Sequence, residues 1–112
     1  ILYIPVNNVL LQWVIENVCK NAVDAMINAK GEIKIDITEL DQKILINITD
    51  NGKGIDKKVA KTIFKPGVTS KKRGWGLGLS LSKRIMEYHN GDIFVKKTEN
   101  KKGATFCIAL PK

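Results

Sequence analysis

The sequence predicts a two-layer α/β (α+β) sandwich: a mostly antiparallel mixed sheet covered on one face by helices. Three observations carry this prediction. Apolar residues recur at spacings of three and four in two long segments, isoleucines alternate with polar residues on either side of a short turn, and the order along the chain is helix, hairpin, helices, hairpin. A sheet with one apolar face needs a cover, and two amphipathic helices can supply it. At 112 residues the chain has room for one domain, residues 1–112.

From about Val6 to Ala29, Leu11, Val14, Ile15, Val18, Ala22, Ala25 and Met26 form an apolar helical stripe that Gly31 ends. Ile33, Ile35 and Ile37 then alternate with charged residues, Asp41-Gln42 turns the chain, and Ile44, Ile46 and Ile48 alternate again, which predicts a hairpin with one isoleucine face buried. Asp50-Asn51-Gly52-Lys53-Gly54 breaks the pattern, and Asp56 is placed to cap a short basic helix running to about Phe64. Pro66 stops that helix, and Gly67 to Gly76 reads as loop. Leu77, Leu81, Ile85 and Tyr88 predict a second long helix closed by Asn90-Gly91. Two final strands, Ile93–Val95 and Thr105–Leu110, flank a charged turn at Glu99-Asn100-Lys101-Lys102.

Composition narrows the function classes. No apolar run approaches the roughly 18 residues of a membrane span, and the first residues lack the basic region and cleavage site of a signal peptide, so the chain is expected to be soluble as given. Cys19 and Cys107 sit in apolar patterns without metal-ligand spacing and read as buried free thiols in a reducing compartment. The net charge of +8 is concentrated: residues 50 to 84 hold ten basic side chains against Asp50 and Asp56, and the remainder balances. A surplus confined to one glycine-rich stretch fits a bound polyanion such as a triphosphate at least as well as a nucleic-acid duplex.

Three groups of residues carry candidate chemistry. Asn17, Asn21, Asp24 and Asn28 recur at helical spacing as a polar stripe beside the apolar one, either a pocket wall or plain surface polarity. Asp50-Asn51-Gly52-Lys53-Gly54 follows a buried strand, where glycines let backbone approach a ligand and an ionised Asp can accept from an exocyclic amine such as that of adenine. Gly74-Trp75-Gly76-Leu77-Gly78-Leu79 opens a helix with alternating glycines, so that backbone N–H groups and the helix dipole converge where a phosphate could sit. It matches neither the Walker loop, which ends Gly-Lys-Ser/Thr, nor the dinucleotide fingerprint, whose last glycine would replace Leu79. Trp13, near the outer side of the first helix, reads as partly packed or as a partner contact, and Glu16 and Lys20 as a surface ion pair.

In this order the segments resemble the ATP-binding catalytic domain of bacterial sensor histidine kinases, of the Bergerat-fold superfamily. Asn17-Val18-Cys19-Lys20-Asn21-Ala22 is similar to the N box, Asp50 to Gly54 to the first glycine box, Phe64-Lys65-Pro66 to the F box, and Gly74 to Leu79 to the second glycine box. The resemblance implies ATP held between the helices and a lid, with Mg²⁺ ligated by the Asn21 amide oxygen and Asn17 assisting at metal or phosphates. It further implies that Asp50 accepts from the adenine amine, that Gly52, Gly54 and Ile55 shape its pocket, and that Gly74, Gly76, Leu77, Gly78 and Leu79 line the phosphates. Thr105 is implied to back the adenine pocket near Asp50. The short basic segment from Pro66 to Arg73 resembles the lid of nitrogen-regulation and sporulation-type kinases.

The sequence also departs from the family pattern. Where many members carry a cation three residues after the metal Asn, Asp24 stands here, so the cation facing the phosphates is expected from Lys71 or Lys20. The last glycine box is reduced to Lys101-Lys102-Gly103-Ala104. The resemblance implies γ-phosphoryl transfer to a histidine on a separate dimerisation and phosphoacceptor domain, with a response regulator downstream and no nucleic-acid partner. His89, the sole histidine, reads as a capping or packing residue. The rival readings are an ATPase of the gyrase, mismatch-repair and chaperone branch, a serine-kinase anti-sigma factor, a nucleotide-gated binding module, and a basic nucleic-acid binder. The ATPase branch places a general base where this chain has Asn17, an amide that cannot take a proton from water.

Overall fold

A computed structural model describes residues 3–26, 30–65, 78–99 and 102–112. Helix α1 (Asn8–Asp24) begins where Asn7, in extended conformation, accepts from the Leu10 N–H at 3.0 Å through its side chain. It closes at Ala25, four residues before the expected end at Ala29, where the Ala25 carbonyl accepts from the Lys53 N–H at 2.9 Å in the loop beyond the hairpin. The hairpin pairs β1 (Ile33–Glu39) with β2 (Lys43–Asp50), closed by Leu40 N–H donating to the Lys43 carbonyl at 2.8 Å around Asp41-Gln42. Helix α2 is a single turn, Lys57–Ala60, capped by Asp56 accepting from Lys58 N–H at 2.8 Å. Helix α3 (Gly78–Tyr88) closes in a Schellman motif: Asn90 takes φ 60°, its N–H donates to Glu87, and Gly91 N–H donates to Met86. Strands β3 (Asp92–Glu99) and β4 (Gly103–Pro111) complete a sheet of order β1-β2-β4-β3, in which all three ladders are antiparallel.

The helices cover one face. Val14 and Val18 of α1, Leu79 and Met86 of α3, Ile44, Ile46 and Ile48 of β2, Ile93 of β3, and Phe106, Ile108 and Leu110 of β4 form the core. The expectation of one buried isoleucine face holds for β2, whereas in β1 only Ile33 packs against the core. Ile35 and Ile37 lie opposite Ile48 and Ile46 on the helix side, yet they remain 51% and 61% exposed. The reason is width: α1 lies against β2 and α3, and β1 is left at the sheet edge beyond the helix layer. On the open face, Cys107 is fully buried between its register partners Asn47 and Phe94, and burial pushes its thiol pKa up. No helix among the described residues is long and apolar enough to cross a membrane.

Candidate functional site

The loop after β2 builds the site from backbone contacts. Asp50, 5% exposed at the end of β2, accepts from Gly52 N–H at 2.8 Å through Oδ1, which tightens the turn and leaves the second oxygen of the carboxylate for another donor. Gly52 lies so close to α1 that a Cβ there would stand 2.6 Å from the Ala25 carbonyl oxygen. Asn51 anchors the opposite side, accepting from Glu32 N–H at 2.8 Å and donating to the Lys30 carbonyl at 3.1 Å. Gly54 takes φ 78°, the left-handed region that side-chain-bearing residues avoid. Ile55 is then locked to β3 by one hydroxyl, since Thr98 Oγ1 accepts from its N–H at 2.8 Å and donates to its carbonyl at 2.9 Å.

Between this loop, the end of α1 and the start of β4 lies a cleft of about 510 Å³, its open mouth included. Asn21, Asp24 and Ala25 line it from α1, Asp50, Lys53, Gly54 and Ile55 from the loop, Ile63 from the chain after α2, and Ala104 and Phe106 from β4. Phe64 stacks edge-on against Phe106, ring centroids 6.2 Å apart, and Lys83 of α3 sits 5.6 Å from the Phe64 ring. That lysine also pairs with Asp92 at 2.5 Å, so the segment preceding Pro66 is tied to both α3 and the sheet. A mostly apolar slot with a buried carboxylate at its floor suits a flat heteroaromatic ring with an amine at its edge.

The polar stripe of α1 divides by function. Asn21 Nδ2 donates to the Asn17 carbonyl at 2.9 Å, so the amide nitrogen is committed and the oxygen remains for a cation or donor. Asn17 donates to Ser82 Oγ at 3.2 Å, and Ser82 donates to the Gly78 carbonyl at 2.8 Å, which joins α1 to the first turn of α3. Gly78 admits this approach because a Cβ there would meet the Asn17 amide at 2.6 Å. The first-turn N–H groups of α3 point out of its N-terminal end. Leu79 contributes backbone there while its side chain joins the core.

Two expected residues do not line the cleft itself, Thr105 backing it beside Asp50 and Lys20 facing outward. Thr105 sits behind the cleft: Ala104 and Phe106 face it, so by strand alternation Thr105 points to the open face, its hydroxyl 3.0 Å from that of Thr49. Lys20 falls about 100° round the helix from Asn21 and lines an outer groove with Glu16, Cys19, Val23 and Asp24. Glu16 accepts from Gln12 at 3.0 Å, and no Glu16–Lys20 pair forms. Lys71, Gly74, Gly76 and Leu77, with Asn28 and Pro66, lie outside the described residues.

Sequence reasoning passed over Lys53 as a cation in the cleft wall, Thr98 as the anchor of Ile55, and the part played by Gly103. Gly103 takes φ 115° and passes against the Asp50 carbonyl, where a Cβ would stand 2.0 Å from the oxygen. As the first residue of β4 it offers no signal in the sequence, since a single glycine there does not declare a positive φ. His89 acts as a bracket: Nδ1 bonds the Ile85 carbonyl at 2.8 Å, and Nε2 accepts from the Asn7 N–H at 3.2 Å.

Comparison with known proteins places this geometry. Residues 6–112 match the family described as histidine kinase-, DNA gyrase B-, and HSP90-like ATPase. The chain is 47% identical over 103 residues to the signal transduction histidine-protein kinase AtoS of Escherichia coli (strain K12), covering 91% of this chain and 17% of that protein. It is 40% identical over 101 residues to Sporulation kinase D of Bacillus subtilis (strain 168), covering 90% of this chain and 20% of that one. It thus spans about a fifth of the length of these relatives. The nucleotide-free catalytic domain of the histidine kinase ThkA superposes with a TM-score of 0.83 at 31% identity, covering 96% of this chain and 69% of that one. The chain belongs to the histidine kinase-, DNA gyrase B- and HSP90-like ATPase family, among the catalytic domains of sensor histidine kinases.

Proposed function

We propose that this chain, acting as one nucleotide-binding domain, holds ATP with Mg²⁺ and presents the γ-phosphoryl group to a histidine on a separate dimerisation and phosphoacceptor domain of its kinase. The observation that carries this reading is the cleft at Asp50, where one carboxylate oxygen is held by Gly52 and the other is left for the adenine amine. Phosphoryl transfer asks mainly for positioning and charge neutralisation, so a domain can supply these and leave the nucleophile to a partner. Asn21 fits a magnesium ligand because its amide nitrogen is already bonded and its oxygen, a hard donor, is what remains. Magnesium, when bound, neutralises charge on the β- and γ-phosphates. Lys53 in the cleft wall, Lys71 and the N-terminal turn of α3 are the further groups of this chain suited to phosphate.

The ATPase reading is disfavoured by Asn17, which carries no base and whose amide is engaged with Ser82. His89, bonded at both ring nitrogens on the far end of α3, is not offered as acceptor. We place the domain in the cytoplasm, without membrane or nucleic-acid contact, upstream of a response regulator.

The test mixes the chain with γ-labelled ATP, Mg²⁺ and the dimerisation domain of its own kinase. Acid-labile, alkali-stable label on that partner's histidine is expected, in low yield because no tether raises the effective concentration. Sustained hydrolysis by the chain alone would favour the ATPase branch, and label on serine the anti-sigma branch.

A further inference from the structure

Ser82 is fully buried in the middle of α3, where the helix itself has no need of a hydroxyl and alanine would serve it better. Leu79 and Met86, three residues before it and four after, are core residues on the same helical face. A hydroxyl in such surroundings is costly unless it is hydrogen-bonded.

Both of its functions are used. The hydroxyl has one proton, which goes to the Gly78 carbonyl at 2.8 Å, one turn back along α3. Toward α1 the oxygen can therefore only accept. The atom that meets it at 3.2 Å must be a donor, Nδ2 of Asn17, so Ser82 selects one of the two orientations open to that amide. The opposite orientation would set Asn17 Oδ1 against an oxygen whose proton is spent. Neither partner can retreat. The Asn17 amide rests on the first residue of α3, where a Cβ on Gly78 would stand 2.6 Å from Oδ1 and 2.7 Å from Nδ2, and the two helices are clasped again at their other ends by the bond between Asn7 and His89.

Asn21 reaches the same state by a different route, its Nδ2 tied to the Asn17 backbone carbonyl at 2.9 Å. With both nitrogens committed, α1 offers two amide oxygens one helical turn apart, about 5.4 Å along its axis. Such oxygens attract a cation or the protons of its bound water and repel phosphate, so this orientation suits Asn17 to the metal rather than to the phosphates.

We propose that Ser82 is a positioning residue of the nucleotide site, holding the Asn17 amide so that its oxygen, and not its nitrogen, is left for magnesium or the water that magnesium binds. This rests on the reading of the site as one for ATP with Mg²⁺.

Two measurements test it. In the nucleotide-free chain, Ser82→Ala should shift the side-chain amide signals of Asn17 in nitrogen-edited magnetic resonance spectra and leave those of Asn21 nearly in place. In calorimetric titration, Ser82→Ala should bind ATP about tenfold more weakly than the parent in Mg²⁺ and within about twofold of it in chelator. Asn17→Ala should show the same pattern, and the Asn17→Ala/Ser82→Ala double variant should bind no more weakly than Asn17→Ala alone, because Ser82 acts through Asn17. The double variant strands no polar partner between the helices, so it should melt above Ser82→Ala and keep the comparison readable. Unmoved Asn17 signals, equal losses in Mg²⁺ and chelator, or additive losses in the double variant would each overturn the proposal. A parent chain whose ATP affinity is the same in Mg²⁺ and in chelator would refute the magnesium reading itself, and with it the role given to Ser82.

Discussion

Replacing Gly103 with Ala is expected to damage the domain well beyond the size of the added methyl. The residue takes φ 115°, which an L side chain rarely adopts, and holding a non-glycine residue there costs about 1–3 kcal/mol. The new Cβ would also stand 2.0 Å from the Asp50 carbonyl oxygen, 2.9 Å from its carbon and 3.0 Å from the Asn51 Cα. All three are backbone atoms at the end of a paired strand, so no side chain can swing away and β2 and β4 must separate. Together these terms give a loss of at least about 2–4 kcal/mol, which for a domain of this size lowers the melting temperature by about 10 °C or more. ATP affinity should fall as well, because the displaced residue is Asp50. Gly31→Ala is the control: its Cβ would meet the Met26 sulfur at 2.1 Å, the flexible end of a half-buried side chain, and the loss should stay within about 1 kcal/mol. Scanning calorimetry with and without ATP measures both variants. A Gly103→Ala protein that melts with the parent, or no lower than Gly31→Ala, would refute the argument that Gly103 shapes the floor of the cleft.

Asn21→Ala should weaken ATP binding more with Mg²⁺ than with chelator, by calorimetry; equal losses would make the Asn17 hydrogen bond its main role. The two thiols should separate in reactivity, with half-buried Cys19 modified by a thiol reagent in the native protein and Cys107 only on unfolding. Burial raises both thiol pKa values, so the unfolded chain ionises first: their contribution to stability is intact below the ordinary thiol value of about 8.5 and is lost as pH rises through the raised one. Denaturation midpoints followed from pH 7 to 10 should decline less steeply in Cys107→Ala, and parallel declines would contradict this.

Much of this molecule is readable from pattern because its elements follow period. The hairpin, both long helices and the Asn90 closure are local signals, and the structure keeps them. What pattern does not carry is lateral extent. Ile35 and Ile37 alternate as cleanly as Ile46 and Ile48, and only the reach of α1 over the sheet separates exposed from buried. The end of α1 likewise falls at a distant carbonyl contact with Lys53 that helix propensity does not carry. In the cleft, Asp50 and the glycines after it are visible as a break following a buried strand. The orientation of Thr105 was accessible too, since with Phe106 in the core strand alternation sends its neighbour to the other face. Gly103 was not, because a single glycine at the start of a strand does not declare a positive φ.

The most direct test of the account is calorimetric titration of the parent chain and Asp50→Asn with ATP–Mg²⁺ and with GTP–Mg²⁺. A charged hydrogen bond to the adenine amine is worth about 1.5–3 kcal/mol, so the parent should prefer ATP and the variant should lose roughly ten- to a hundredfold in ATP affinity. Equal affinity of the parent for ATP and GTP, or an Asp50→Asn protein that binds ATP as the parent does, would contradict the assignment of the cleft.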